Sequence, residues 1–255
     1  MSYTIIIPAR FASQRFPGKL LADLNGKPVI EHVYLKATTT RASRIIIATD
    51  DARIATVAKN FGAEVCLTSS EHSSGTLRIA EVIKKKSIPK SEVIVGVQAD
   101  EPFIASENID KVAVKRIACS DCDVVTLCEK IDSFEDYENP NVVKVVVNHG
   151  DHAMYFSRAK IPYLRDGHTL PKDSVFRHIG LYAYYADFIE LYLSWPAPAL
   201  EKIEQLEQLR ILWNGGVIRV ELATISTLPG IDTPEDLQRA IKSTNQQINY
   251  CDEQY

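Results

Sequence analysis

Three cations, Arg10, Arg15 and Lys19, stand within ten residues in the stretch Pro8-Ala9-Arg10-Phe11-Ala12-Ser13-Gln14-Arg15-Phe16-Pro17-Gly18-Lys19. Beside a Pro-Gly turn they suit a polyphosphate: arginine grips two oxygens through parallel hydrogen bonds, lysine adds a point charge, and loop amides face outward. It is not a Walker loop, because Ser13 takes the place of its first glycine and Leu20 that of the Ser or Thr that would hold magnesium. The dinucleotide fingerprint G-x-G-x-x-G is missing too, and a solvated basic loop is the plainer alternative. Two acids complete the set. Asp100 lies just past the apolar run Val93 to Val97, and Asp232 just before a helix start. Acids at such loop ends can converge on one side of a sheet, and magnesium needs only one or two carboxylates besides substrate phosphates. The plain readings are a turn at Asp100 and an aid to the helix start at Asp232, although Thr233 is the better cap.

Ligands of open parallel sheets sit beyond the carboxyl ends of the strands, so the elements around these residues matter. Short β-branched runs, Ile5 to Ile7, Ile45 to Ala48, Glu64 to Leu67 and Val93 to Val97, read as strands. Between them Val29 to Ala37, Ala52 to Phe61 and Leu77 to Lys86 carry helical spacing, with Gly62 as a C-cap. The fold class that follows is α/β, a doubly wound and mostly parallel sheet with helices on both faces. After about residue 120 the runs Val124 to Leu127, Val142 to Val147, Ala153 to Phe156 and Arg177 to Tyr184 predict a smaller mixed lobe, at about 120–200. A long helix is expected over Leu200 to Trp213, a strand over Val217 to Ala223, and a last helix from Thr233, where Thr-Pro-Glu-Asp supplies cap, proline and acid. One catalytic domain of 1–255 with this lobe is the expectation.

A net charge of -4 and a pI near 5.9 argue against nucleic-acid binding. The first residues carry no basic leader, and no stretch approaches the roughly 20 apolar residues of a membrane span. A cytoplasmic protein with no membrane partner is expected. Five cysteines, Cys66, Cys119, Cys122, Cys128 and Cys251, read as free thiols in that setting. Cys119-Ser120-Asp121-Cys122 has the spacing of a redox or zinc half-site, but no second pair lies at finger spacing, so a structural role is expected. His149 and His152 read as a polar hairpin.

P-A-R-x-x-S-x-R-x-P-G-K after an N-terminal strand resembles the opening signature of the CMP-Kdo synthetases, which make CMP-activated 3-deoxy-manno-octulosonate. The resemblance continues through Ala48-Thr49-Asp50-Asp51, His72-Ser73-Ser74-Gly75-Thr76, Val97-Gln98-Ala99-Asp100-Glu101-Pro102, Asn139-Pro140-Asn141-Val142-Val143-Lys144, Tyr155-Phe156-Ser157-Arg158-Ala159, Arg177-His178-Ile179-Gly180-Leu181-Tyr182, Leu206-Glu207-Gln208-Leu209-Arg210 and Asp232-Thr233-Pro234-Glu235-Asp236-Leu237. It implies a Rossmann-like nucleotidyltransferase that joins CMP from CTP to an acidic eight-carbon sugar for lipopolysaccharide synthesis, working as a homodimer. By resemblance Arg10, Lys19, Asp100 and Asp232 are catalytic, the two aspartates holding Mg2+. Ala9, Arg10, Arg15, Lys19, Ser74, Gly75, Thr76 and Arg78 bind the nucleotide, and Gln98, Arg158, His178, Tyr182, Glu207 and Gln208 face the sugar. Residue chemistry alone leaves Glu207 and Gln208 as solvated helix positions, and His178 as a satisfied core histidine.

The implied mechanism is in-line attack of the sugar's anomeric C2 hydroxyl on the α-phosphorus of CTP, with no covalent enzyme intermediate. An 8-amino analogue of the sugar or an acylneuraminate keeps the same chemistry, and a non-catalytic nucleotide-sugar-binding homologue is the rival of another class. Three departures from the family pattern bear on this. Leu77 stands where an acid is usual, which removes a neighbouring partner for Arg78; Ala99 stands for glycine, and Leu20 for proline.

Overall fold

The structure is a computed structural model that describes residues 2–13, 15–165, 169–171 and 173–252, with side chains of the last helix described through residue 243. In chain order come β1 (Tyr3–Ala9), a 3-10 turn (Lys19–Leu21), β2 (Asp23–Leu24), β3 (Lys27–Pro28), α1 (Val29–Thr38), β4 (Arg44–Thr49), α2 (Ala52–Asn60), β5 (Glu64–Leu67) and α3 (Gly75–Lys85). There follow β6 (Val93–Gly96), α4 (Ser106–Ala118), β7 (Val124–Lys130), α5 (Phe134–Glu138), β8 (Lys144–Val147), β9 (Ala153–Ser157) and β10 (Phe176–Tyr185). The last are α6 (Ala186–Ser194), α7 (Ala199–Glu204), α8 (Leu209–Trp213), β11 (Ile218–Leu222) and α9 (Pro234–Asp252). Strands and helices alternate through the first part of the chain and most strands shown paired there are parallel, so the α/β class read from the sequence is the observed one. No described helix is long and apolar enough to cross a membrane.

The chain divides into two compact units. The first comprises Thr4–Lys86, Gly96–Ser106 and Thr227–Tyr255. Here β1 pairs in parallel with β4, Ile5 beside Ile45 and Ile7 beside Ile47, and β4 in parallel with β5, Ile47 beside Val65. An apolar run such as Tyr-Thr-Ile-Ile-Ile-Pro-Ala forms a strand covered on both faces, and Ile5, Ile6 and Ile7 are all fully buried. α1 buries Val29, Ile30, Val33 and Ala37, one stripe at helical spacing. α2 starts on Asp51, whose carboxylate accepts from the amides of Arg53 and Ile54, and ends at Gly62 with φ 86°. There Gly62 N donates to Lys59 O and Ala63 N to Ala58 O, a paired closure that needs a left-handed residue at Gly62. Because the three strands are parallel, the loops after Ala9, Thr49 and Leu67 leave from the same edge.

The second unit comprises Met1–Tyr3, Ser87–Val95 and Glu107–Ser226. β7 pairs in parallel with β11 and antiparallel with β10, β10 pairs with β8, and β8 with β9. This is the mixed extension expected after residue 120. Two sequence expectations fail in this unit. The long helix over Leu200 to Trp213 is broken into α7 and α8 at Gln205, which adopts φ 55°. The break turns Leu206 and Leu209 into the core, and a two-pronged ion pair from Arg210 to Glu201, at 2.7 and 2.6 Å, ties its two sides together. α4 and α6 carry no strong start signal, and the sequence does not predict them. The thiol expectation fails as well: Cys119 and Cys122 form a disulfide, because the chain turns sharply after α4 and sets their Cα atoms 5.9 Å apart. Cys66 and Cys128 are free and buried, and the side chain of Cys251 lies outside the described residues.

Candidate active site

The basic loop after β1 is a shaped turn rather than an extended basic arm. Gly18 has φ 74°, its amide donates to Phe11 O at 3.2 Å, and a Cβ added there would come 3.0 Å from the Phe11 ring. Only glycine therefore combines this backbone with this contact. The Arg53 guanidinium covers Phe11 at 3.3 Å from the ring centroid and holds the turn from the α2 side. Leu20, buried in the short 3-10 turn, anchors the end of the loop, which accounts for an apolar residue in that slot.

Lys19 is pinned between the two acids picked out from the sequence. Its Nζ donates to Asp100 Oδ2 at 2.6 Å and to Asp232 Oδ1 at 2.8 Å. Burial alone pulls the ammonium's pKa down, but Asp100 and then Asp232 outweigh it and hold the pKa above its usual value. Arg15 reaches the other oxygen of Asp232 at 2.9 Å. Arg10 is exposed, and no ion pair engages it among the described residues. Acids 81 and 213 positions beyond Lys19 in sequence thus share its one cation.

Local structure explains why both carboxylates are available. Asp100 sits in a turn closed by Glu101 N on Gln98 O, and its carbonyl accepts Ile231 N at 2.8 Å. Gly230 permits this approach, since a Cβ there would lie 3.0 Å from Asp100 O. At α9 the cap is reciprocal: Asp236 N donates to Thr233 Oγ1, and Asp236 Oδ2 accepts from the amides of Thr233 and Asp232. Asp232 therefore spends its own carboxylate on Lys19 and Arg15 rather than on the helix. Two hard carboxylates that reach one small cation are a donor set that fits magnesium.

For Arg78 the structure supplies a partner that the sequence did not show. Arg78 is 3% exposed, and its guanidinium bonds to Asp50 Oδ2 at 3.0 Å, to Thr68 Oγ1 and to Ser69 O. Leu77 does not strip Arg78 of a partner, because the partner is Asp50, delivered by the end of β4. Ser74 caps α3, its Oγ accepting from Leu77 N at 3.3 Å, which makes position 77 the site where an acid would complete a capping box. Gly75 lies against Pro8, where a Cβ would come within 3.3 Å of the ring, and Ala9 is wholly buried. The neighbouring loop is tied down by Glu81, which accepts from Ser69 N, His72 and Lys85. Burial pushes the Glu81 carboxyl up, but these bonds outweigh it and bring its pKa to about 2. Ala99 is buried and its backbone avoids the left-handed region, so the extra methyl is accommodated.

Of the residues assigned to the sugar, Gln98 lies in the first unit beside Asp100. Arg158, His178, Tyr182, Glu207 and Gln208 belong to the second. Arg158 donates to Glu204 O and Pro140 O, and no ion pair engages its guanidinium among the described residues. The His178 ring lies against Phe156 and Tyr182, and burial drives its pKa down to about 3, so it is neutral near pH 7. Thr126 Oγ1 donates to Leu181 O at 2.8 Å and so accepts from His178 Nε2 at 3.0 Å, which fixes the proton on Nε2. Gln208 is buried at the start of α8 rather than solvated on a continuous helix. The sequence gives Asp50 no role and counts Asp236 only as acid near a helix start; an acid at a strand's carboxyl end and an acid three residues after Thr233 were the available signals for the partnerships they make. Lys144, fully buried with its ammonium on Asn139 O at 2.9 Å, was likewise passed over.

A doubly wound sheet with a basic loop at its edge, facing two carboxylates, defines the nucleotidyltransferase class. A family model described as Cytidylyltransferase matches residues 4–223, and the chain belongs to that family. A relative from Aliivibrio fischeri, a 3-deoxy-manno-octulosonate cytidylyltransferase, is 51% identical over 243 residues, covering 94% of this chain and 97% of its own. One of the same description from Haemophilus influenzae is 49% identical, over 96% and 100%. Among solved structures, a CMP:2-keto-3-deoxy-manno-octonic acid synthetase complexed with CTP superposes with a TM-score of 0.88 at 36% identity, covering 96% of this chain and 99% of its own.

Proposed function

We propose that the chain transfers CMP from CTP to the anomeric C2 hydroxyl of 3-deoxy-manno-octulosonate and releases pyrophosphate, as a magnesium-dependent cytoplasmic enzyme. The observation that carries this reading is Lys19 held by Asp100 and Asp232 at the end of the basic loop, in a chain about half identical to cytidylyltransferases of that sugar over nearly its full length.

An ammonium has three N–H groups, and two of those on Lys19 are committed to carboxylates, which leaves one for a phosphate oxygen. Because it stays charged, Lys19 steadies the leaving pyrophosphate electrostatically, and Arg10 and Arg15 add grips on the triphosphate. Asp100 and Asp232 would hold magnesium, which when bound supplies charge neutralisation at the phosphates and acidifies a hydroxyl on it. Ser74, Gly75 and Thr76 line the cytidine side, while Arg78 is a positioning residue that holds the Thr68 to Ser69 stretch. Gln98, Arg158, His178, Tyr182, Glu207 and Gln208 contact the sugar acid. The charge of Arg158, which no ion pair engages among the described residues, suits its carboxylate, and neutral His178 offers Nδ1 as an acceptor for a hydroxyl. No Ser-His-Asp set is needed, since attack is direct.

A homodimer belongs to the same proposal. Met154, Tyr163, Ile203 and Trp213 of the second unit are 62%, 81%, 76% and 64% exposed, and large apolar side chains of this kind are enriched at interfaces. Pyrophosphate release tested with CTP against other nucleotides, over a panel of acidic sugars including the 8-amino analogue and an acylneuraminate, decides the substrate. A preference for another nucleotide or sugar overturns this reading.

A further inference from the structure

The turn after α4 carries a cluster that cytidylyl transfer does not use. Cys119 and Cys122 are joined there, and the Asp121 carboxylate lies beside them, with Oδ1 3.1 Å from Cys119 Sγ. The two sulfurs and the carboxylate all fall within 4.8 Å of one another. The fold adds a fourth group from far along the chain. The hairpin between β8 and β9 is set by Asn148, whose Oδ1 accepts from the amides of Gly150 and His152. This places His152 Nε2 3.6 Å from Asp121 Oδ2. That nitrogen is buried and has no hydrogen-bond partner among the described residues, an arrangement that costs free energy unless something meets it. Arg116 donates to Cys119 O at 2.8 Å and so ties the end of α4 to this turn.

We propose that the reduced form of this cluster is a binding site for a zinc-class divalent cation, with Cys119, Cys122, Asp121 and His152 as its four ligands. Two thiolates, a carboxylate and an imidazole are a tetrahedral set for such an ion; His152 stands beside the group of three in the oxidised form, and its side chain turns in to complete the set. Opening requires a low-molecular-weight thiol as reductant: the Cys119–Cys122 bond breaks, two thiols RSH become RS–SR, and their hydrogens pass to the two cysteine sulfurs. Cation binding then releases those protons. Disulfide and metal therefore exclude each other, and the site is gated by redox state. The proposal does not rest on the transferase reading.

The test is metal stoichiometry on the full chain, reduced and oxidised, by elemental analysis after dialysis against micromolar zinc, with cobalt(II) as spectroscopic probe. Reduced protein is expected to bind one zinc and to give a thiolate-to-cobalt absorption band, and oxidised protein to do neither. Cys119→Ser, at a half-exposed position, loses the band, and His152→Ala weakens zinc at least tenfold. Cobalt bound without that band sits on carboxylates such as Asp100 and Asp232 and counts against the proposal. So does reduced protein that takes up no zinc, or Cys119→Ser that binds as the wild type does.

Discussion

Replacing Arg78 with methionine separates a positioning role from direct nucleotide contact. Methionine keeps most of the apolar stem but removes every hydrogen bond from the guanidinium: to Asp50 at 3.0 Å, to Thr68 and to Ser69 O at 3.4 Å. Breaking a fully buried pair from one side costs about 3–5 kcal/mol, mostly because the surviving charge is stranded. The Asp50 side chain is 18% exposed and can recover part of its hydration, so about 2–3 kcal/mol is the working figure. At about 2–4 °C per kcal/mol for a chain of this size, the melting temperature should fall by about 4–12 °C. Asp50→Asn, which leaves a neutral acceptor, should lose about half as much. The assay pairs thermal unfolding with initial rates at several CTP concentrations, read well below the transition. Since Arg78 is 3% exposed, the rise in KM should stay below about tenfold. An unchanged melting temperature with a KM raised a hundredfold would refute the positioning argument and return Arg78 to the nucleotide.

Four further outcomes are expected. Asp100→Asn and Asp232→Asn should each lower kcat by about a hundredfold or more while circular dichroism stays native, and near-normal turnover in either variant removes that residue from the catalytic set. Leu77→Glu completes the cap on α3 but gives up a half-buried leucine, terms of about 1 kcal/mol each and opposite sign, so melting temperature and CTP KM should barely move; a clear change in base selectivity would restore a nucleotide role to position 77. The Glu81 carboxyl falls from 4.5 to about 2 on folding, so its contribution is present above pH 4.5 and lost as pH drops towards 2. Urea unfolding of Glu81→Gln should then depend less steeply on pH across that window, and an identical slope contradicts the assignment. Light scattering at micromolar concentration should report a dimer, and monomer alone overturns that proposal.

The parallel strands and their helices were legible because buried runs such as Ile5 to Ile7 and Ile45 to Ala48 and the spacing of Val29, Ile30, Val33 and Ala37 leave few alternatives. The convergence of Lys19, Asp100 and Asp232 was legible as composition and loop position, but its geometry was not, since it depends on Gly230 admitting the Asp100 carbonyl and on Asp236 relieving Asp232 of capping. The break at Gln205 was hidden because a left-handed glutamine carries no local signal; it is imposed by the burial of Leu206 and Leu209. The partnership of Arg78 with Asp50 was hidden for a related reason, in that α3 sets Arg78 against the end of β4 while the two residues remain 28 apart in sequence. The Cys119 to Cys122 turn misled because cysteine count and setting say nothing of how sharply the chain bends after α4.

The measurement that bears most directly on the account is pyrophosphate release by the purified chain supplied with CTP, magnesium and 3-deoxy-manno-octulosonate, with the sugar product identified by mass. The account predicts one CMP-sugar per pyrophosphate, dependence on all three components, and loss of both products together in Lys19→Met and Asp100→Asn. Pyrophosphate released equally well without the sugar, or from UTP as readily as from CTP, would contradict it.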